Sequence, residues 1–429
     1  MLIQFNFQNY KSFRDDTSLD LSATKITEHT NRVVSIGNDK LLRIAAIYGA
    51  NASGKSNVHD AFKFMATYVL TSYEFSGANT AKRGRQRGRV VVRPFAFDKQ
   101  SKNEKSVFEV FFIDQADSSN KSYQYGFALK ADKVIEEWLY YKPKTAREYK
   151  TIFYRNLETN KLDLDKISNI GAENIKAALR DETLIVSLGE LLKISKLKIV
   201  YDWFMDNEVI DFSNDYESLF RSNTLPYGFV DDINVQNEVV KFFKSFDESI
   251  IGFNIKKIKI EEDNEEQERY TINAKHKVID SNETTSIPLH EESKGTLEMF
   301  SLFPYMQDVL RRGSVLFVDE LNTKLHPLLV RNIILTFANP QINTKNAQLI
   351  FTTHDSWQLS NNLLRRDEIW FTEKDTDGVS SLYSLADFAD EDGIKIRKDE
   401  SYEKNYLLGK YGAIPSLKTI DFLGRDNIE

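Results

Sequence analysis

The chain has 429 residues, 41% of them hydrophobic, enough for roughly two or three domains around a large core. It holds no cysteine, which excludes disulfides, thiolate zinc sites and cysteine nucleophiles. The formal net charge of −7 gives no global attraction to nucleic acid, so any such contact needs a local patch.

No apolar run is long enough to cross a bilayer. The opening Met1-Leu2-Ile3-Gln4-Phe5-Asn6 lacks the basic and apolar regions of a signal peptide. A cytoplasmic protein without a membrane partner is expected. Ile3, Phe5 and Phe7 alternate with Gln4, Asn6 and Gln8, the period of a half-buried strand. Leu19 and Leu21 suggest its hairpin partner, with 11–16 as the turn.

Arg43-Ile44-Ala45-Ala46-Ile47-Tyr48 predicts a buried strand, and Gly49-Ala50-Asn51-Ala52-Ser53-Gly54-Lys55-Ser56 follows it. Val58, Ala61, Phe62, Met65 and Val69 then repeat at helical spacing. Strand, glycine loop and helix is the setting of a phosphate-binding loop. Its glycines let successive N–H groups converge, and the helix N-terminus adds partial positive charge. Lys55 can reach the β- and γ-phosphates of ATP, and Ser56 can hold Mg²⁺.

Residues 72–89 read as a mobile loop carrying Lys82-Arg83-Gly84-Arg85-Gln86-Arg87-Gly88-Arg89, with Arg93 beyond it. Such a stretch suits nucleic acid, an acidic partner protein or plain solvation. Strands are predicted at 90–92, 108–113, 123–129 and 134–141, as an antiparallel meander continuing the first sheet. Residues 142–250 read as a mostly helical insertion, with helical spacing over 184–200 and 235–246. The stretches 251–262 and 270–279 alternate and pair, with the acidic run 261–268 as a solvated hairpin loop. The expected division is 1–141, 142–250 and 251–429, the outer two being halves of one head.

Val315-Leu316-Phe317-Val318-Asp319-Glu320 is an apolar strand ending in two carboxylates. Asp319 suits a water-mediated Mg²⁺ contact, and Glu320 suits polarising an attacking water. Upstream, Ser293-Lys294-Gly295-Thr296 opens a helix and offers a hydroxyl and bare N–H groups to a γ-phosphate. The chain's own ATP is already held by its glycine loop, so Ser293 and Gly295 would serve the ATP of a second protomer. Gln348-Leu349-Ile350-Phe351-Thr352-Thr353-His354-Asp355 is a strand ending in a histidine placed to sense that phosphate. His326, in Leu325-His326-Pro327, is either structural or part of a protomer interface.

The order of these motifs resembles that of ABC-type ATPase heads, including the SMC, RecF and OLD groups. The loop 49–57, with Asn51, Ser53 and Asn57, resembles their form of the phosphate loop, and Phe7-Gln8-Asn9-Tyr10-Lys11-Ser12-Phe13 resembles their first strand and turn. More narrowly the chain resembles AAA-type ATPases of bacterial abortive-infection loci. Pro94-Phe95-Ala96-Phe97-Asp98, Asp367-Glu368-Ile369-Trp370-Phe371 and Tyr411-Gly412-Ala413-Ile414-Pro415 carry that likeness.

The resemblance implies an α/β fold, an ABC-ATPase head with an antiparallel β lobe, a RecA-like α/β lobe and a helical insertion. It also implies an oligomer with ATP and Mg²⁺ sandwiched between heads. Gly49, Asn51, Ser53, Gly54, Lys55, Ser56 and Asn57 would bind nucleotide, with Ser293 and Gly295 acting in trans. Ser56 and Asp319 would hold metal, Glu320 would work on water and His354 would be the switch. The signature loop departs from the pattern, reading Ser-Lys-Gly-Thr. Asn322-Thr323-Lys324 replaces smaller, more acidic residues. The glutamine between the lobes is not placed among Gln86, Gln100 and Gln115.

Glu373-Lys374-Asp375-Thr376-Asp377-Gly378 has the letters of a metal-nuclease motif, but flanking strands and Asp-Gly mark a hairpin turn. Nucleolytic or toxic activity is therefore expected on a separate effector protein. The expected function is an ATPase and sensor subunit of an anti-phage system. The alternative is an SMC- or RecF-like head acting on DNA directly, with 82–93 as its contact.

Overall fold

The computed structural model describes residues 1–76, 90–115, 120–144, 146–214, 225–244, 247–262, 265–389 and 396–414. The arginine-glycine stretch 82–89, with Gln86, lies outside the described residues, as does Pro415. Strands β1 (Leu2–Gln8) and β2 (Thr17–Asp20) form the expected hairpin, with Phe5 opposite Leu19. A short hairpin, β3 (Val34–Ile36) with β4 (Asp39–Leu41), precedes β5 (Ile44–Gly49) and helix α1 (Lys55–Thr71).

The meander continues as β6 (Ser106–Ile113), β7 (Ser122–Lys130), β8 (Lys133–Lys142), β9 (Lys150–Asn156) and β10 (Lys161–Asp163). Together they make a seven-stranded sheet ordered β10-β9-β8-β7-β6-β1-β2. The meander thus runs past 141, where an insertion was expected to begin. No strand forms at 90–92. Just beyond, the backbone is held by the first turn: Lys11 N–H donates to Arg93 O at 2.7 Å and Phe95 N–H to Asn9 Oδ1 at 2.9 Å.

The next residues are helical, as expected: α2 (Asn169–Ala178), α3 (Ile185–Leu191) and α4 (Ser195–Asp206). The short strand β11 (Glu208–Asp211) interrupts them, before α5 (Ile233–Phe243). Three strands, β12 (Ile250–Glu262), β13 (Glu265–Lys277) and β14 (Thr284–Pro288), form a separate antiparallel sheet. The acidic run expected as a loop lies mostly within this ladder, where Glu261 pairs with Glu266 and Glu262 with Glu265. Ladder pairing uses backbone groups, which every residue carries, so the strands extend through the acidic residues to Glu262 and Glu265.

Helix α6 (Lys294–Arg312) leads to β15 (Val315–Asp319), α7 (Pro327–Ala338), β16 (Gln348–Thr352), β17 (Ile369–Lys374), β18 (Ser380–Ser384) and α8 (Tyr402–Leu407). The second sheet is ordered β11-β15-β16-β5-β17-β18, parallel except at β18. Its central strands read as continuous apolar runs because helices cover both faces. Ala45, Ile47, Phe317 and Ile350 pack with α1 and the antiparallel sheet, while Ile44, Ala46, Leu316 and Phe351 pack with α6 and α7. Both lobes implied by the resemblance are present: an antiparallel β lobe and a RecA-like α/β lobe. Among the described residues no helix is long and apolar enough to cross a membrane.

A buried ionic staple joins the segment after β2 to the one before β17. Arg365 is fully buried and grips Asp367 with two bonds, of 2.8 and 2.7 Å. Asp367 also accepts from the Thr24 N–H at 2.9 Å and the Thr24 hydroxyl at 2.8 Å, and Arg365 donates to Glu28 O. Removing one partner of such a pair strands a buried charge. We expect Arg365→Met to lower the unfolding free energy by about 3–5 kcal/mol in urea titrations followed by circular dichroism, and Arg365→Met/Asp367→Leu to recover part of the loss.

Candidate functional site

Parallel pairing brings four strand ends to one edge of the sheet. Ile47 is in register with Thr352, Gly49 with Thr372, and Val318 with Phe351. The carboxyl edge of an open parallel sheet is where ligands bind. The loop from β5 to α1 curls over this edge. Gly49 has φ 155°, and a Cβ there would lie 2.5 Å from Thr372 O. Gly54 has φ 119°, and its Cβ would lie 2.7 Å from Ser380 Oγ. Only glycine fits either place.

Gly54 precedes helix α1 and offers no capping side chain, so the first N–H groups of the helix stay open to a ligand. Lys55 folds under the loop and donates to Gly49 O at 2.8 Å and Ala50 O at 3.0 Å. Burial lowers its pKa, while Glu320 and Asp319 act in the opposite direction. An open cleft of about 460 Å³ is lined by Asn51, Ala52, Gly54, Lys55, Ser56, Asn57, Glu320 and Lys374. Ser53 faces inward instead, its Oγ 2.5 Å from Thr372 Oγ1.

The carboxylates at the end of β15 point different ways. Asp319 is buried and accepts from the Thr352 hydroxyl. Burial raises its pKa, and His59, Thr352 and the Ser56 side chain each pull it back. Ser56 and Asp319 are therefore neighbours. Glu320 takes a left-handed backbone, φ 57°, with its N–H on Thr352 Oγ1 at 2.8 Å. That turn swings its side chain out of the sheet and into the cleft.

His354 Nδ1 lies 3.1 Å from Glu320 Oε2, and Thr323 Oγ1 donates to the same oxygen at 3.3 Å. Asn322 Nδ2 lies 3.0 Å from His354 Nε2, and the Thr353 hydroxyl donates to Asn322 Oδ1 at 2.8 Å. This network assigns the Nδ1–H tautomer, donating to Glu320 and accepting from the Asn322 amide. Asn322 and Thr323, departures from the pattern in sequence, thus hold Glu320 and His354.

Ser293 and Gly295 lie elsewhere. Ser293 caps α6, accepting from the Thr296 N–H at 3.1 Å. Both line a second cleft of about 620 Å³ with Thr296, Lys324 and His326. His326 caps α7, its Nδ1 accepting from the Leu328 N–H at 3.2 Å. The two clefts share no lining residue.

Several contacts carried no sequence signal. Asn57 Nδ2 donates to Ser12 Oγ at 2.7 Å, and the Ser380 hydroxyl donates to Ser53 O at 2.7 Å. Serines and threonines at strand ends are too common to stand out before the sheet aligns them. Neither Gln100 nor Gln115 lines the first cleft: Gln100 pairs with Glu104 at 2.6 Å and Gln115 with Gly313 O at 3.1 Å. Of the nuclease-like letters at 373–378, Glu373 and Lys374 end β17 and the rest form a turn, with Asp375 Oδ1 accepting from the Asp377 N–H at 3.0 Å and the Val379 N–H at 2.8 Å.

No curated protein matches the chain in sequence. Among solved structures, one described as the SmcHead bound to the C-winged helix domain of ScpA covers 89% of this chain and 97% of its own, at 12% identity and a TM-score of 0.42. That level of likeness carries no argument about activity. The match that decides is a family model covering residues 44–356, a span that holds the glycine loop, Ser293, Asp319, Glu320 and His354. By that match, the chain belongs to the family described as "AAA domain, putative AbiEii toxin, Type IV TA system".

Proposed function

We propose that this chain binds and hydrolyses ATP as an ABC-type head and is the ATPase and sensor subunit of a bacterial anti-phage, abortive-infection system, controlling a separate effector such as a nuclease. The observation that carries the reading is the single cleft in which Lys55 and Ser56 face Glu320, with Asp319 beside Ser56 and His354 on Glu320. The donor set suits a triphosphate with Mg²⁺. A hydroxyl and a carboxylate, both hard oxygen ligands, stand at an uncapped helix N-terminus. When bound, Mg²⁺ on Ser56 and, through water, on Asp319 would neutralise phosphate charge.

Lys55 turns from two loop carbonyls to the phosphates, exchanging neutral acceptors for charged ones. Glu320 orients a water or takes its proton. His354 holds Glu320 through Nδ1–H and releases it by turning to the phosphate. Ser293 and Gly295 lie on a separate cleft, which supports their serving a nucleotide held by a second copy. Closing the shared site is a population shift: ATP binds the paired heads better than single ones, and hydrolysis removes that preference.

Glu320→Gln should cut turnover by about 10²- to 10⁴-fold and accumulate a dimer with ATP in light scattering; unchanged turnover refutes the assignment. Lys55→Ala and Ser293→Arg should each be inactive alone. Mixed, random pairing should restore about a quarter of wild-type turnover if sites are shared between copies, and no recovery would sink the shared site. In cells, the chain with its neighbouring gene should reduce phage plaques, and Lys55→Ala should abolish that. Salt-sensitive DNA binding lost on charge reversal across 82–93 would instead favour a head that acts on DNA directly.

A further inference from the structure

The hairpin of β17 and β18 has a role that its nuclease-like letters hide. Residues two apart on a strand share a face, about 7 Å apart. On β17 the faces divide cleanly. Phe371 packs on Tyr406 and Tyr411, and Glu373 Oε2 takes the Tyr383 hydroxyl at 3.4 Å near Gly412. Thr372 and Lys374 take the opposite face. Thr372 Oγ1 touches Ser53 Oγ at 2.5 Å, under the glycine loop. Lys374, one strand repeat further out, lines the cleft with Asn51, Lys55, Ser56 and Glu320.

The hairpin is fastened to the loop. The Ser380 hydroxyl donates to Ser53 O at 2.7 Å, the Ser380 N–H donates to Ser12 O at 2.7 Å, and Lys374 pairs with Ser380 in the ladder. The turn is closed by Asp375, whose carboxylate accepts two backbone N–H groups and points back into its own loop. Lys374 is exposed, and among the described residues its ammonium makes no ion pair. A cation without a carboxylate partner, rigidly mounted on the lip of an anion-binding loop, is a ligand contact in waiting. Lys55, the other lysine in the cleft, is folded beneath the loop.

We propose that Lys374 is a second cationic contact for the nucleotide's phosphate tail, reaching it from the lip while Lys55 reaches it from beneath the loop. This rests on the nucleotide reading of the cleft. The test is isothermal titration of the full-length protein with Mg²⁺ and, separately, AMPPNP, ADP and AMP. Lys374→Ala should weaken AMPPNP by about five- to tenfold, ADP less and AMP little, because the contact scales with phosphate charge. Lys374→Glu should lose more, Lys374→Arg should bind near wild type, and the melting temperature without nucleotide should not move. Wild-type AMPPNP affinity in Lys374→Ala and Lys374→Glu, with Lys55→Ala abolishing binding, overturns the proposal and leaves the cleft reading intact. An equal loss for all three nucleotides also overturns it, placing the lysine on the nucleoside. If Lys55→Ala binds as wild type, the cleft reading itself fails, and this inference with it.

Discussion

The chemistry of this molecule depends on β5 lying between β16 and β17. The pairing of Ile47 with Thr352 and Gly49 with Thr372 joins the first fifty residues to the last third of the chain. Such contacts are non-local, and the entropy of closing so long a loop must be met before they return anything. They are affordable because both faces of the sheet are covered, by α1 and the antiparallel sheet on one side and by α6 and α7 on the other. Once the ladder is in register, the glycine loop, the two carboxylates and the histidine arrive together without further adjustment.

At the sheet edge, the key polar groups find partners within the chain. Lys55 sits on two carbonyls, Asp319 on the Thr352 and Ser56 side chains, and Glu320 on His354 and Thr323. Burying charge without such partners would be costly. The same partners define what a ligand must exchange. Thr352 is central, since its hydroxyl donates to Asp319 and accepts from the Glu320 N–H, fixing the spread between the two carboxylates.

The small sheet of β12, β13 and β14 is not detached from the site. Helix α6, which Ser293 caps, packs Phe300 and Phe303 against Phe229, Phe243 and Phe253. The first of these precedes α5, the second ends it, and Phe253 lies on β12. The helix capped by Ser293 is therefore moored in a small aromatic core of its own. A shift of that core would move Ser293 and Gly295 as a unit, because packed aromatic clusters transmit displacement rather than absorb it.

Much of this was legible in the residue order. The phosphate loop needs glycine at fixed places, and a strand ending in Asp-Glu or in Thr-Thr-His is short and unusual enough to stand out. The antiparallel pairing of β1 with β2 and of β12 with β13 followed from alternation alone. Other features needed the fold. β9 and β10 joined the meander because an open sheet edge was available to them, and the acidic run paired because ladder bonds use backbone groups that acidic residues also carry. Asn322 and Ser380 had no local signal, since their partners lie on segments distant in sequence, and Lys374 had none because only the sheet brings it to the cleft. Sequence by itself determined which chemical groups this protein owns and where the backbone must be glycine, because those are properties of single residues and short periods. Tertiary structure alone decided which groups share a cleft, that Ser293 and Gly295 stand outside it, and that one lysine of the β17 hairpin faces the loop, because these follow from strand register across the whole chain.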